Sequence, residues 1–392
     1  MTSPVFIFGI ARSGTNLLAR LLDRHPAVAV ALDPFLPWFK SLRNRIVASS
    51  GDARITADFD PLSAFEDYYF LSRGPATLDL ITGSSAELRF AAGEEDALRA
   101  AVAARAALES PALAERLMRA TGSDYRSYLD SALRIIGNSK AGGGCLWQGA
   151  KEVWAIDFLP LLARTYPKAR FFVIERDPRA IVASLLAMAQ RDATQGAHVV
   201  SYARHWRKFA AQARVYARDP AFGDRVQLVS YESLVRDAFT EAHRICAHLR
   251  LEFAPEMLDV SSEGWAGNSS FGGNQDIYAG SLEQWQKTLS REVQDVVEFH
   301  CGPEMALTEY RTATAWKRGP IAALMRSVRE AAARPASWRS DSGQVAYDFG
   351  GELLRHALVE SDEEFDARTL RETFLFPEIL EAIRARHQSE RA

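Results

Sequence analysis

The stretch "PVFIFGIARSGTNLLARLL", residues 4–22, constrains the fold of this chain more than any other. An apolar run, Val5 to Phe8, ends at Gly9. A loop of small and polar residues follows, and leucines at 17, 18, 21 and 22 then recur at helical spacing. Short apolar runs are the pattern of buried strands, and one apolar stripe is what a helix lays on a sheet. Strand, tight loop and helix in this order have the outline of a phosphate-binding loop, G-x-x-x-x-G-K-[S/T]. Thr15, however, stands where that pattern has lysine, and Asn16 where it has the magnesium-binding hydroxyl. Such a loop still presents backbone N–H groups and the positive end of a helix dipole, with Arg12, Ser13, Thr15 and Asn16 as further donors. It suits an anion held without metal better than a magnesium-bound triphosphate. The plain alternative is a strand–helix turn that binds nothing.

Further strands are predicted at "VAVAL" (28–32), "GCLWQGAK" (144–151), "ARFFVIERDP" (169–178) and "RVQLVSYESL" (225–234), the last running into a helix. Residues 94–120 are rich in Ala, Glu, Leu and Arg and predict helix, with Ser110-Pro111 as a cap and first turn. Asp177 and Pro178 are the same pair ahead of "RAIVASLLAMAQ". "SLEQWQKTLSREVQDVVEFHCG" predicts one capped amphipathic helix, and the tail beyond about residue 320 reads as helical and charge-rich. Alternating strands and helices imply an α/β fold, a parallel β-sheet flanked by helices. Ligands of such sheets bind at the carboxyl ends of the strands. Gly9 to Asn16, Lys151, Arg176 and Tyr231 all fall at or just past such ends.

Bulk properties narrow the function classes. Of 392 residues, 47% are hydrophobic and 25% charged, an ordinary globular composition. A net charge of −3 argues against sequence-independent nucleic-acid binding, which needs a basic face. Cys145, Cys246 and Cys301 are scattered without a C-x-x-C, so a reducing, cytoplasmic setting is expected. Neither a signal peptide nor an apolar run long enough to span a bilayer is visible. Lysine is scarce, 7 against 40 arginines, which points to a GC-rich bacterial coding sequence and draws the eye to Lys151.

A second anion site is suggested by "ERDPRAIVAS": Arg176 lies just ahead of a helix cap and Ser184 about two turns along. An arginine fork can meet a phosphate bidentately, and a helical serine adds a hydroxyl. Ion pairing of Arg176 with Glu175 or Asp177 is the alternative. Two anion sites on one sheet suggest a ligand with two separated anionic groups.

"RSGTNLL" followed by "RDPRAIVAS" resembles the sulfotransferases that use 3′-phosphoadenosine 5′-phosphosulfate, most closely in pattern the bacterial and tyrosyl-protein types. The resemblance implies a P-loop-NTPase-like sulfotransferase fold over residues 1–310, with a helical insertion at about 36–143 shaping the acceptor site and a helical extension at 311–392. It implies that Arg12, Ser13, Gly14, Thr15 and Asn16 hold the phosphosulfate, and that Arg176 and Ser184, eight residues apart, clamp the 3′-phosphate. "VSYESL" resembles the family's Y-E-x-L turn, giving Tyr231 the adenine. "NSSFGG" resembles the segment that closes over the nucleotide, giving Ser270. Asn16 departs from the family's usual threonine, and Tyr278 stands where some relatives carry a basic residue. Lys151 falls where relatives have a K-T-P-like motif and would stabilise charge on the leaving group. Asp33, in "VALDPF", lies 21 residues after Arg12, the spacing of the base in tyrosyl-protein sulfotransferases. An Asp-Pro turn is its alternative.

The expected reaction is therefore in-line sulfuryl transfer, without metal, to a hydroxyl of a small molecule, carbohydrate, lipid or peptide. The basic run Lys40, Arg43 and Arg45 is either a solvated helix face or a contact for an acidic acceptor. A nucleotide-dependent kinase or NTPase, and a non-catalytic nucleotide-binding protein, are the rival readings. A scaffold has no need of Asp33 with Lys151.

Overall fold

The computed structural model describes residues 2–57, 59–62, 67–140, 144–191, 199–261, 277, 279–312, 349–361 and 363–391. The chain divides into two compact units. The first, residues 1–64, 78–175 and 216–279, holds a five-stranded sheet: β1 (Ser3–Gly9), β2 (Val28–Leu32), β3 (Trp147–Val153), β4 (Arg170–Glu175) and β5 (Val226–Ser230). The order is β2-β3-β1-β4-β5, and every pairing is parallel. Parallel neighbours require crossovers, and helices supply them, as the strand–helix alternation predicts.

β1 is central, with Val5, Phe6, Ile7 and Phe8 wholly buried. Phe6, Phe8 and Phe171 stack on one another beside the helices. The helix Thr15–Arg24 lays Leu17, Leu18, Leu21 and Leu22 into this core. β3 begins three residues later than "GCLWQGAK" suggests and continues to Val153, so Lys151 lies within the strand, opposite Ile7 on one side and Leu32 on the other. Polar Gln148, Lys151 and Glu152 blur its apolar pattern, which is why its end is hard to read from sequence.

The second unit comprises residues 65–77, 176–215 and 280–392. Its helix Pro178–Arg191 starts as predicted: Asp177 Oδ1 accepts from Arg179 N at 2.8 Å. The single helix expected over residues 281–302 is two, Gln284–Thr288 and Arg291–Met305. Leu289 is extended there, and Ser290 restarts the helix by accepting from Val293 N at 3.4 Å. A serine inside an apparent helix acted as a cap. The helices Phe349–Glu360, Ala367–Phe374 and Pro377–Arg391 bury Leu358, Val359, Phe374, Ile379, Leu380 and Ile383 with Ala211. No helix among the described residues is long and apolar enough to cross a membrane.

Gly149 in β3 faces Val5 of β1, and a Cβ there would stand 1.6 Å from the Val5 carbonyl oxygen. Backbone cannot retreat without opening the central ladder. Gly149→Ala is expected to cost about 3 kcal/mol of unfolding free energy by urea titration. An unchanged midpoint contradicts this packing.

Candidate active site

The loop after β1 turns through two left-handed residues, Arg12 (φ 71°) and Gly14 (φ 97°). Gly14 also admits the ring of the buried Tyr231: an added Cβ would lie 2.3 Å from the ring's Cδ2. Glycine is thus required twice over, for conformation and for close approach. Ser13 donates its hydroxyl to the Ile10 carbonyl at 2.8 Å and its N–H to the same oxygen at 3.1 Å, closing the loop on itself. Gly14 then opens a ten-residue helix and, having no side chain, leaves its first-turn amides without an N-cap bond. Uncapped amides at the positive end of a helix dipole are a site for an anion. Thr15 is buried and Asn16 half-buried at this end.

Asp33 follows the last residue of β2 and is left-handed (φ 48°), a conformation aspartate tolerates better than most residues. Its N–H continues the ladder to the Lys151 carbonyl at 2.8 Å. Its carboxylate pairs with Lys151: Oδ2 accepts from the ammonium, and Oδ1 from Val153 N–H at 3.2 Å. Lys151 is 1% exposed, so its charge is matched within the protein. Arg105, from the helix Glu94–Ala107, adds a second cation. Its Nη2 is 3.8 Å from Asp33 Oδ2, and its Nε donates to the Asp33 carbonyl at 3.2 Å. A second carboxyl, Glu152, is fully buried beside them. Burial first, and the negative charge of Asp33 second, push it well above the usual carboxylate range.

The structure therefore brings Asp33 and Lys151 into direct contact and sets Tyr231 against the phosphate-type loop. In the second unit Arg176 and Ser184 are both buried, and Trp206 Nε1 donates to the Arg176 carbonyl at 2.9 Å. The neighbouring Arg179 is committed elsewhere. It binds Asp177 bidentately at 3.0 and 2.7 Å and Glu298 at 2.8 Å, and it stacks over Trp285. Burial opposes its charge, but the bonds to Asp177 and the charges of Asp177 and Glu298 outweigh that and raise its pKa. Ser270 and Tyr278 lie outside the described residues. The basic run is only in part a solvated face: Lys40 bonds the Leu62 carbonyl, while Arg43 is buried over the Phe59 ring at 5.0 Å. Among the described residues no group of three or more His, Cys, Asp or Glu is placed to hold a metal ion.

Sequence reasoning missed two residues at this site. Glu152 left a trace, a carboxylate directly after the singled-out lysine in a buried strand. Arg105 left none, because only the tertiary fold carries its helix to Asp33.

A family profile described as "Sulfotransferase family" matches residues 4–255. A Caenorhabditis briggsae protein named "Putative protein-tyrosine sulfotransferase" is 23% identical over 316 residues, 75% of this chain and 86% of that protein. Among solved structures, the sulfotransferase domain from the Synechococcus PCC 7002 olefin synthase has 16% identity and a TM-score of 0.45, covering 79% of this chain and 96% of that one. Sulfotransferase STF9 from Mycobacterium avium has 16% identity and a TM-score of 0.37, covering 79% and 78%.

Removing one member of a buried pair leaves the other charge unmatched. Lys151→Met is expected to cost about 3 kcal/mol of stability, and the double variant Asp33→Asn/Lys151→Met to recover part of it. Additive losses in urea titrations of Lys151→Met, Asp33→Asn and the double variant would show that the pair is not coupled.

Proposed function

The chain belongs to the sulfotransferase family, and on that premise we propose that it transfers a sulfuryl group from 3′-phosphoadenosine 5′-phosphosulfate to a hydroxyl acceptor. The observation that carries this reading is the buried Asp33–Lys151 pair: Lys151 lies on β3, beside the strand that leads into the loop, and Asp33 follows β2 on the far side of β3. A base and a cation at the carboxyl end of a parallel sheet, beside an anion-binding turn, are the parts that in-line transfer needs.

In this reading the amides of Gly14, Thr15 and Asn16, with Arg12, hold the phosphosulfate, and Ser13 fixes the loop's shape. Arg176 and Ser184 bind the 3′-phosphate, Tyr231 supports the adenine side, and Ser270 covers the nucleotide. Asp33 accepts the acceptor's hydroxyl proton as that oxygen forms its bond to sulfur. The sulfur–oxygen bond to the nucleotide breaks in line, and the bisphosphate leaves with the electron pair. Lys151 steadies the charge that develops on the bridging oxygen. No metal is required, since arginine, lysine and backbone N–H groups supply the countercharge. Residues 1–310 form the transferase domain, and the insertion at 36–143 shapes the acceptor pocket. Arg105, which belongs to that insertion and touches Asp33, supports the assignment.

Calorimetric titration with 3′,5′-adenosine bisphosphate is expected to show tight binding, with ADP and magnesium binding weakly. Arg176→Ala should abolish the preference. Preference for ADP with magnesium would overturn the donor assignment. Asp33→Asn should bind the bisphosphate as the parent does but lose about 10²- to 10⁴-fold in kcat, measured with 2-naphthol as acceptor, as removal of a general base does. An unimpaired kcat removes Asp33 from the role of base.

A further inference from the structure

Glu152 is the one fully buried carboxyl at this site with no assigned part. Strand alternation sends its side chain to the opposite face of the sheet from Lys151. From there Oε1 accepts the Phe35 N–H at 2.5 Å, while Oε2 is buried with no hydrogen-bond partner among the described residues. Phe35 is two residues beyond Asp33, so the turn Asp33-Pro34-Phe35 is gripped twice. Lys151 takes the carboxylate at its start, and Glu152 takes the amide at its end.

We propose that Glu152 is a positioning residue for the transfer: its carboxyl, bonded to the Phe35 N–H, holds the turn so that Asp33 faces Lys151, and it does so as an uncharged acid. The proposal rests on the sulfotransferase reading for its catalytic consequence, though not for its geometry. An ionised carboxylate would leave Oε2 charged and unmatched in a dry interior, which is far costlier than an unpaired neutral group. The charged groups around it do not reverse this. Lys151 is engaged by Asp33, Arg105 lies on the Asp33 carbonyl and near the same Oδ2 that Lys151 binds, and Asp33 itself repels a second negative charge. Burial and the Asp33 charge, in that order, raise Glu152's affinity for its proton. With Glu152 neutral, Asp33 is the single anion facing Lys151.

Glutamine is uncharged and keeps the carbonyl that accepts from Phe35, whereas aspartate is one methylene too short and alanine has no acceptor. With 2-naphthol as acceptor, Glu152→Gln is expected to keep kcat within about threefold, while Glu152→Asp and Glu152→Ala lose about 10²-fold, the loss that misplacing a reacting group by about 1 Å produces. Bisphosphate affinity stays unchanged in all three.

Two readouts need no turnover. The Phe35 amide resonance, in protein labelled with ¹⁵N-phenylalanine, stays near its parent position in Glu152→Gln and moves in Glu152→Asp. The folded parent also keeps a proton that its unfolded chain releases above about pH 4.5. The stability this proton contributes therefore fades as pH rises, and Glu152→Gln gains on the parent as pH climbs above about 4.5.

A well-folded Glu152→Gln that is as inactive as Glu152→Asp, or a stability difference that does not grow with pH, overturns the proposal. If the parent neither binds the bisphosphate nor transfers to 2-naphthol, the sulfotransferase reading fails instead. The amide and pH measurements then still decide whether Glu152 holds the turn as a neutral acid.

Discussion

A lysine ammonium buried in the second strand of a parallel sheet is the condition to which the rest of the first unit answers. Lys151 cannot lose its water without a partner, and the partner is supplied by the neighbouring edge strand as it ends. That need explains why Asp33 takes a left-handed conformation directly after β2, and why its second oxygen meets the N–H of Val153. It also brings Arg105 in from the helix Glu94–Ala107, which ties a segment distant in sequence to the sheet. In the proposed transfer the same pair serves as base and cation, hydrogen-bonded to each other. On that reading structural demand and chemical use coincide at one place.

The second unit solves a similar problem repeatedly. Arg207 pairs with Glu352 and Arg355 with Glu304, all four fully buried, while Arg179 is divided between Asp177 and Glu298. Aromatic rings cover these cations: Tyr69 lies 4.2 Å from Arg207, and Phe374 lies 4.5 Å from Arg355. Each guanidinium is planar and weakly hydrated, so it tolerates burial better than an ammonium when it is both paired and stacked. Glu352 is held ionised, at about 2, because the charges of Arg207, His300, Arg204 and Arg355 exceed the cost of its burial. The charge-rich tail seen in the sequence is therefore in part an interior, and Arg355 and Glu352 belong to that interior.

The parallel sheet was legible because its strands are short apolar runs bounded by turn residues, and two helix starts were legible from Ser110 and Asp177. The break at Ser290 was not, since a serine within a helical period is equally consistent with an exposed helix position. At the candidate site, Asp33 and Lys151 could each be singled out, one by a spacing from Arg12 that resembles that of the base in tyrosyl-protein sulfotransferases and one by the rarity of lysine. Their contact could not be derived, because 118 residues separate them. Glu152 was visible but uninterpretable, since whether a carboxyl in a strand is a surface group or a buried acid depends on what covers it.

The sequence by itself determined the local grammar: which segments become strands and where the phosphate-type loop turns. These follow from periodicity, capping and backbone preference, all of them interactions among near neighbours, whereas the candidates for base and cation came from the resemblance to the sulfotransferases. The tertiary structure alone decided that Lys151 is buried, that Asp33 is its counterion, that Arg105 joins them and that Glu152 closes the turn from the other face. Those outcomes depend on register between strands and on desolvation, and both exist only once distant segments have packed.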